Sequence, residues 1–514
     1  MSRAGRRSRL LLVSPRLPVA CGALFFALLL PGFRGAHLQG AAAPPPSQSD
    51  GLTQLAHSIG ELLNTPVLER ATFGIAVHSL DRDQPIYQLN ARKLLLPSSA
   101  MKIVTLAAAA DQLGWDYTFS TRLVGTGPIR HGALAGDLVV IGTGDPSIDD
   151  WDGQATALFH QWADLLKAAG ITRVDGRIVG DDNAFTDEPL GAGWAWDDLA
   201  ASYATAVGAL QYNENTAQLV IAAGRAAGEP ARIEINPPSA PVSVRNAVTT
   251  TPPSVPVALL IRPSPRGPSL DVRGTVPLNS VRHIRNVSVE NPTLYFANAM
   301  RRALAANGIE VKGATVDVDD LPAPVPVEGL QPLLVHQSAP LANLAATMMK
   351  MSQNLYAETL LRAMGARDVG FGSFETGRSA LQRTLATWGI SPSDLMIADG
   401  SGLSRYNLLT AEALVAILAR VAADERLRDR FAAALPVAGR DGTLSERMRH
   451  TAAEGNLRAK TGSMSGARSL AGYVTDADGE RLAFAIIANN YDASSDTISR
   501  ALDGIAIQLA SLHR

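Results

Sequence analysis

The chain carries strand-like apolar runs at both of its ends. Near the start, ATFGIAVHSL (71–80) and QPIYQLN (84–90) flank the turn signal Asp81-Arg82-Asp83; near the finish stand ARSLAGYVTD (467–476) and RLAFAIIANN (481–490). A helical pattern, Leu52 to Leu63, precedes the first pair, and another, DTISRALDGIAIQLASL (496–512), follows the second. Helix, strand, strand at one end and strand, strand, helix at the other predict one antiparallel sheet covered by helices. Everything else must then be threaded between its two halves.

What lies between changes character. From about residue 118 to 290, short β-like runs (DLVVIG, RVDGRIVGDD, AQLVIAAG, ARIEINP, VALLIR, SLDVRG) alternate with Gly, Pro and Asp turns. Helical patterns return at NPTLYFANAMRRALAANG (291–308) and continue through 340–435. The 514 residues suit roughly three domains of about 150 each. The expected division is a leader and linker over 1–43, the first part of a sheet-and-helix domain over 44–117, an inserted β-rich module over 118–290, and the second part over 291–514. No internal repeat of fixed period stands out.

The N-terminus reads as an export signal. Arg3, Arg6, Arg7 and Arg9 form a basic start, Val19 to Leu30 an uncharged apolar core, and small residues and PPPSQSD follow. Twelve apolar residues are short for a membrane span, so an uncleaved anchor is the lesser alternative. The Arg6-Arg7 pair is badly spaced for a twin-arginine signal. Cleavage is expected between Ala36 and Ala43, giving an exported, periplasmic protein, with peripheral membrane association left open.

Charge and cysteine usage narrow the chemistry. A formal net charge of -2 gives no footprint for nucleic acid or an anionic membrane surface. The only cysteine, Cys21, lies in the leader, ahead of the main apolar run rather than after it, which disfavours a lipid-modified cysteine. Disulfides, thiolate catalysis and cysteine-ligated metals are thereby excluded from the mature chain. The nine histidines are scattered, without a His-x-x-x-His pair. No metal and no cofactor are expected.

Lysine usage is more telling. The chain has 40 arginines and 6 lysines, and Lys102 is the one lysine with a serine three residues before it, in PSSAMK (97–102). On a helix, positions i and i+3 share a face, so the ammonium can approach the Ser99 hydroxyl. A hydroxyl is a poor nucleophile until a base takes its proton. An unperturbed lysine is neutral in only roughly one molecule in a thousand near pH 7, so burial or neighbouring cations must lower its pKa. Arginine does not deprotonate and cannot serve. Alone, Ser-x-x-Lys is more often a helix cap followed by a solvated lysine. Its companions carry the case: Ser352-Gln353-Asn354 opens the helical run LYAETLLRAMG, and Lys460-Thr461-Gly462-Ser463 precedes the strand-like run at 467–476. Together they form the Ser-x-x-Lys, Ser-x-Asn, Lys-Thr-Gly set of penicillin-recognising serine enzymes.

With these motifs the chain resembles the D-alanyl-D-alanine carboxypeptidase/endopeptidases of the penicillin-binding protein 4 family. The resemblance extends to GTGDP (142–146), GWAWDD (193–198), DGSGLSR (399–405) and LPVAGRDGT (435–443), and to the large insertion that places Ser352 253 positions after Ser99. It covers about residues 53 to 510. Gln353 departs from the Asp found in many relatives.

The resemblance implies an α/β fold: a penicillin-recognising, β-lactamase/transpeptidase-like domain, its antiparallel sheet flanked by helices, with a large β-rich insertion. It implies a serine-type peptidase acting on peptidoglycan stem peptides ending in D-Ala-D-Ala, with β-lactams as acylating inhibitors and a homodimer left open. Ser99 would be acylated with Lys102 as base, Ser352 would relay a proton to the leaving amine, and Asn354 would orient Lys102 and the substrate amide. Lys460 and Thr461 would hold the terminal carboxylate, with Gly462 and Ser463 beside it, and the backbone N–H groups of Ser99 and Ser463 would form the oxyanion hole. Asp182 and Phe185 (GDDNAF), with Arg405, are expected near a substrate side chain; Asp399 is expected to organise a turn. A β-lactamase shares the motifs, but no Glu-x-x-x-Asn follows Ser352 and no Tyr-x-Asn occurs. An esterase of the same fold and a non-catalytic wall-binding protein are the remaining alternatives.

Overall fold

The computed structural model describes residues 48–149, 154–265 and 267–514; the leader expected over 1–43 lies outside them. Among the described residues, no helix is long and apolar enough to cross a membrane.

The two chain ends do meet. Five antiparallel strands lie in the order Gln84–Leu89, Thr72–Ser79, Arg481–Asn489, Ala467–Thr475, Arg458–Met464. Ile486 at the centre pairs with Ile75 on one side and Leu470 on the other. The central strand shows why the sheet needs helices on both faces. Its Leu482, Phe484, Ile486 and Ala488 enter one core and Ala483, Ala485 and Ile487 the other, the period of two that a pleated strand imposes. The first core is closed by the terminal helices Gln48–Leu63 and Ser495–Ala510, through residues such as Ile59, Ile498 and Ile505. The second is closed by helices Met101–Leu113 and Ala411–Ala423, with Asn354–Val369 packed behind. Each fully buried Leu, Ile or Phe contributes about 1.5–3 kcal/mol relative to exposure.

The edge strand Arg458–Met464 differs from expectation, since only the two runs after it read as strands. Its polar sequence, RAKTGSM, has no apolar alternation. It is a strand because the tight turn at Ser465-Gly466, with Gly466 at φ 75, folds it back onto Ala467–Thr475.

The inserted module has its own core and is larger than expected. Its five-stranded sheet runs Thr315–Asp317, Ile178–Asp181, Leu138–Gly142, Ser120–Gly125, Leu334–Gln337. Helix Pro292–Ala306 packs Tyr295, Phe296 and Met300 against Phe159 and Trp162 of helix Gln154–Ala168 and against Leu138 and Ile178 of the sheet. The boundary expected at 290/291 is therefore corrected: this helix and the strands up to residue 337 complete the module. Two three-stranded sheets, formed from strands between Thr216 and Ser288, share a further core around Leu219, Ile221, Val248 and Val272.

Candidate active site

Ser99 sits in a short 3-10 turn, Ser98–Ala100, that runs straight into helix Met101–Leu113. The residue before it, Ser98, takes φ 49, a conformation that costs about 1–3 kcal/mol in a non-glycine residue and persists only where its surroundings enforce it. Two glycines supply the enforcement. A Cβ at Gly462 would stand 2.7 Å from Pro97 O and 2.9 Å from Ser98 Cβ, and one at Gly402 (φ 87) would collide with the Ser98 carbonyl. Ser469 Oγ also donates to Pro97 O at 2.6 Å. The glycine of Lys-Thr-Gly thus lets the edge strand press directly on the serine turn.

One turn later Lys102 is completely buried. Its Nζ lies 3.0 Å from Ser99 Oγ, 2.6 Å from Asn354 Oδ1 and 2.9 Å from Ser401 O. Burial draws its pKa down to about 7, against the opposing pull of Glu358 and Asp399. Asn354 is the first residue of helix Asn354–Val369, and its Nδ2 donates to Tyr203 O at 2.7 Å. That bond fixes the amide so that its oxygen faces Lys102. Ser352 lies in the link between that helix and helix Leu341–Lys350, at φ 60. Its Oγ accepts from Lys460 Nζ at 2.8 Å. The three motifs, distant in the chain, therefore form one hydrogen-bonded group at the edge of a cleft of ≈ 470 Å³, lined by Ser99, Ser352, Asn354, Thr461, Gly462 and Ser463 among others.

A family model for the D-Ala-D-Ala carboxypeptidase 3 (S13) family matches residues 55–509. This chain belongs to that family. The D-alanyl-D-alanine carboxypeptidase of Actinomadura sp. (strain R39) is 32% identical over 484 residues, covering 91% of this chain and 87% of the relative. D-alanyl-D-alanine carboxypeptidase DacB of Haemophilus influenzae is 31% identical over 433 residues, covering 82% and 86%. The crystal structure of penicillin binding protein 4 (dacB) from H. influenzae superposes with a TM-score of 0.78 at 28% identity, over 88% of this chain and 99% of the other. The mixed α/β fold with its insertion is the fold of that protein.

Within this family frame the remaining expectations divide. Arg405 lines the cleft, where its guanidinium donates to Ser465 O at 3.2 Å. Asp399 organises the turn after it, accepting from Gly402 N, Ser404 N, Asn407 Nδ2 and Trp194 Nε1 at 2.6–2.9 Å. Lys460 is a correction. It is completely buried and does not line the cleft; its Nζ donates to Ser352 Oγ and to Thr461 O (2.7 Å), so it acts on the cleft through Ser352. Burial, then repulsion from Lys102, holds its pKa well below the usual lysine range.

Asp182 and Phe185 are corrections too, since neither lines the cleft. Phe185 is buried under the guanidinium of Arg362, 5.8 Å from its ring centroid, and fills the space left by Gly144 and Gly372. Asp182 accepts from Thr293 Oγ1 at 2.6 Å and clusters with Asp317 and Asp319 inside the inserted module.

Several groups at the site have no assignment from the sequence. Asp198 and Tyr203, from the inserted module, line the cleft, and Tyr203 Oη donates to Asp198 Oδ1 at 2.7 Å. Ser401 offers a backbone carbonyl to Lys102, and Glu358, fully buried, accepts from Gly400 N (3.0 Å) and Ser401 N (2.7 Å), which sets that peptide in place. Burial and the neighbouring Asp399 push the Glu358 carboxyl up. The signal was there for Glu358: four residues after Asn354, it occupies the same helix face. Asp198 and Ser401 lie inside the segments GWAWDD and DGSGLSR, which marked the family, but neither residue itself carried an assigned role.

Proposed function

We propose that this chain is a serine-type D-Ala-D-Ala carboxypeptidase and DD-endopeptidase that cleaves peptidoglycan stem peptides through an acyl-enzyme on Ser99. The observation that carries the reading is the set of three acceptors around Lys102. Asn354 Oδ1 and Ser401 O have no proton to give. In a neutral lysine they take both amine hydrogens, and the single lone pair is left facing Ser99 Oγ. A pKa of about 7 leaves a large fraction in that form at neutral pH.

In the reaction, Ser99 Oγ attacks the carbonyl carbon of the bond between the last two D-alanines as its proton passes to Lys102. The carbonyl oxygen becomes an oxyanion near the backbone of Ser99 and Ser463, where each aligned N–H donor is typically worth about 10²–10³ in rate. As the C–N bond breaks, the Ser352 hydroxyl gives its proton to the departing amine and takes the one that Lys102 had accepted from Ser99, which returns Lys102 to its neutral form. Water then attacks the ester and gives its proton to Lys102, which passes it to Ser99 Oγ as the acyl C–O bond breaks and the shortened peptide leaves. Thr461 lies where the terminal carboxylate would rest, and Lys460 behind it holds the Ser352 hydroxyl in place. Asp198 gives the cleft an anionic group and Arg405, Arg447 and Arg468 give it cationic ones, suited to a stem-peptide side chain bearing both charges. Penicillin, which carries a strained amide and a carboxylate, would acylate Ser99 by the same route. The basic, apolar and small-residue succession in the first 43 residues supports export to the periplasm, where this substrate lies.

The test is D-alanine release from a muramyl-type pentapeptide by the mature protein beside its Ser99→Ala variant. Release by wild type alone is expected. Release by the variant, or by neither while penicillin fails to label Ser99, would overturn the assignment.

A further inference from the structure

The segment Pro436–Leu444 is tied to two of the three motifs. On one side Ala459 N donates to Pro436 O and Ala438 N to Leu457 O, both at 2.9 Å, and Val437 bridges to Arg458, so the segment rides on the Lys-Thr-Gly strand. On the other side Lys350 Nζ, two residues before Ser352, donates to Asp441 Oδ2 at 2.6 Å, while Asp441 Oδ1 accepts from Val437 N at 2.9 Å. Gly442, at φ 54, lies flat on the end of helix Leu341–Lys350; a Cβ there would stand 2.8 Å from Lys350 O. A bond from Gly439 N to Leu444 O (2.9 Å) closes the loop internally. All this fixing presents one exposed side chain to the cleft. Thr443 lines it, with Oγ1 2.7 Å from Thr461 Oγ1.

The chemistry of that pair depends on what occupies the cleft. A hydroxyl has one proton to give and two lone pairs. The two hydroxyls share one hydrogen bond, with Thr461 as donor and Thr443 as acceptor. A substrate carboxylate is acceptor only, so Thr461 must turn its proton toward it, and its oxygen is then free to accept. Thr443 is the group in place to donate to it, and a hydroxyl that accepts one hydrogen bond donates more strongly to the next.

We infer that Thr443 is a positioning residue for Thr461, reversing their shared hydrogen bond when a free terminal carboxylate binds and so selecting peptides that end in a carboxylate over those that end in an amide. This rests on the carboxypeptidase reading above and names the specificity of that same site.

The test compares D-alanine release from a pentapeptide acid with D-alaninamide release from its C-terminal amide, for wild type, Thr443→Val and Thr443→Ser. Loss of a hydrogen bond supporting a charged group predicts about a tenfold rise in KM on the acid for Thr443→Val, with kcat changed little, and at most a twofold effect on the amide. Thr443→Ser should restore the acid preference. Equal losses on both substrates, no loss, or failure of serine to rescue would overturn the inference. If wild type turns over neither peptide but is labelled by penicillin, the carboxypeptidase reading falls separately. Acylation by penicillin and by its methyl ester then decides the role of Thr443, with the same outcomes expected for acid and ester.

Discussion

Two regions of this molecule hold an ionisable group displaced to about pH 7 by burial, and only one of them sits at the cleft. Lys102 is drawn down from 10.5 and Asp182 pushed up from 3.8, each with burial as the largest cause. Their partners differ. Around Lys102 stand a hydroxyl to be activated and two acceptors that orient the amine. Around Asp182 stand Thr293 and two further carboxyls, and its Oδ1 is buried without a hydrogen-bond partner. Asp317 and Asp319 add to the upward push on Asp182, because like charges oppose ionisation. A displaced pKa therefore reports burial. It marks chemistry only where the uncharged form faces something to act on.

The widest separation between the regions should appear in acylation rate. Lys102→Arg keeps a cation in place but cannot accept a proton, so acylation by a labelled penicillin should fall by at least about 10³-fold. Asp182→Asn should stay within about twofold of wild type. A large loss in Asp182→Asn would bring the acidic cluster back into the site, and appreciable acylation by Lys102→Arg would remove Lys102 as base.

The pH dependence of that rate gives a smaller but sharper contrast. The neutral amine is the reactive form, so below pH 7 the acylation rate should fall about tenfold per unit, reaching roughly a hundredfold at pH 5. Asp182 also titrates near 7, but Asp182→Asn should leave the profile where it is. A profile that moved with this substitution would tie Asp182 to the reaction.

The contrast also explains what could be recognised before the fold was known. Ser99, Lys102, Ser352, Asn354 and residues 460–463 occupy short motifs whose internal spacing already carries the geometry: one helical turn in the first, a helix start in the second. Carbonyl groups have no such signature. Ser401 O and Tyr203 O hold Lys102 and Asn354, yet any residue type supplies a carbonyl. Asp182 and Phe185 stand within four residues of each other in a loop after strand Ile178–Asp181, and sequence does not say which way such a loop turns. Here it carries Phe185 under Arg362 rather than to the cleft. Helix Pro292–Ala306 was legible as a helix, but its apolar face would look the same against either core, and so the module boundary was misplaced.

The smallest effect concerns stability, and there the two regions should slope in opposite directions with pH. Asp182 has a folded-state pKa above its unfolded value, so folding favours the neutral carboxyl. Its contribution is intact below about pH 4 and is lost as pH rises toward 7. Asp182→Asn should therefore match wild type in urea unfolding at pH 4 and exceed it at pH 8 by about 1–3 kcal/mol, less than the full shift would give because the group is only partly enclosed. Lys102 has a folded pKa below its unfolded value, so the native state is penalised progressively as pH falls from 10.5 to 7. Lys102→Met should gain on wild type as pH falls through that window, offset by a constant loss from the acceptors of Asn354 and Ser401 left unfilled. Parallel rather than opposed trends in the two variants would mean that a shared neighbour, and not burial of each group separately, sets both pKa values.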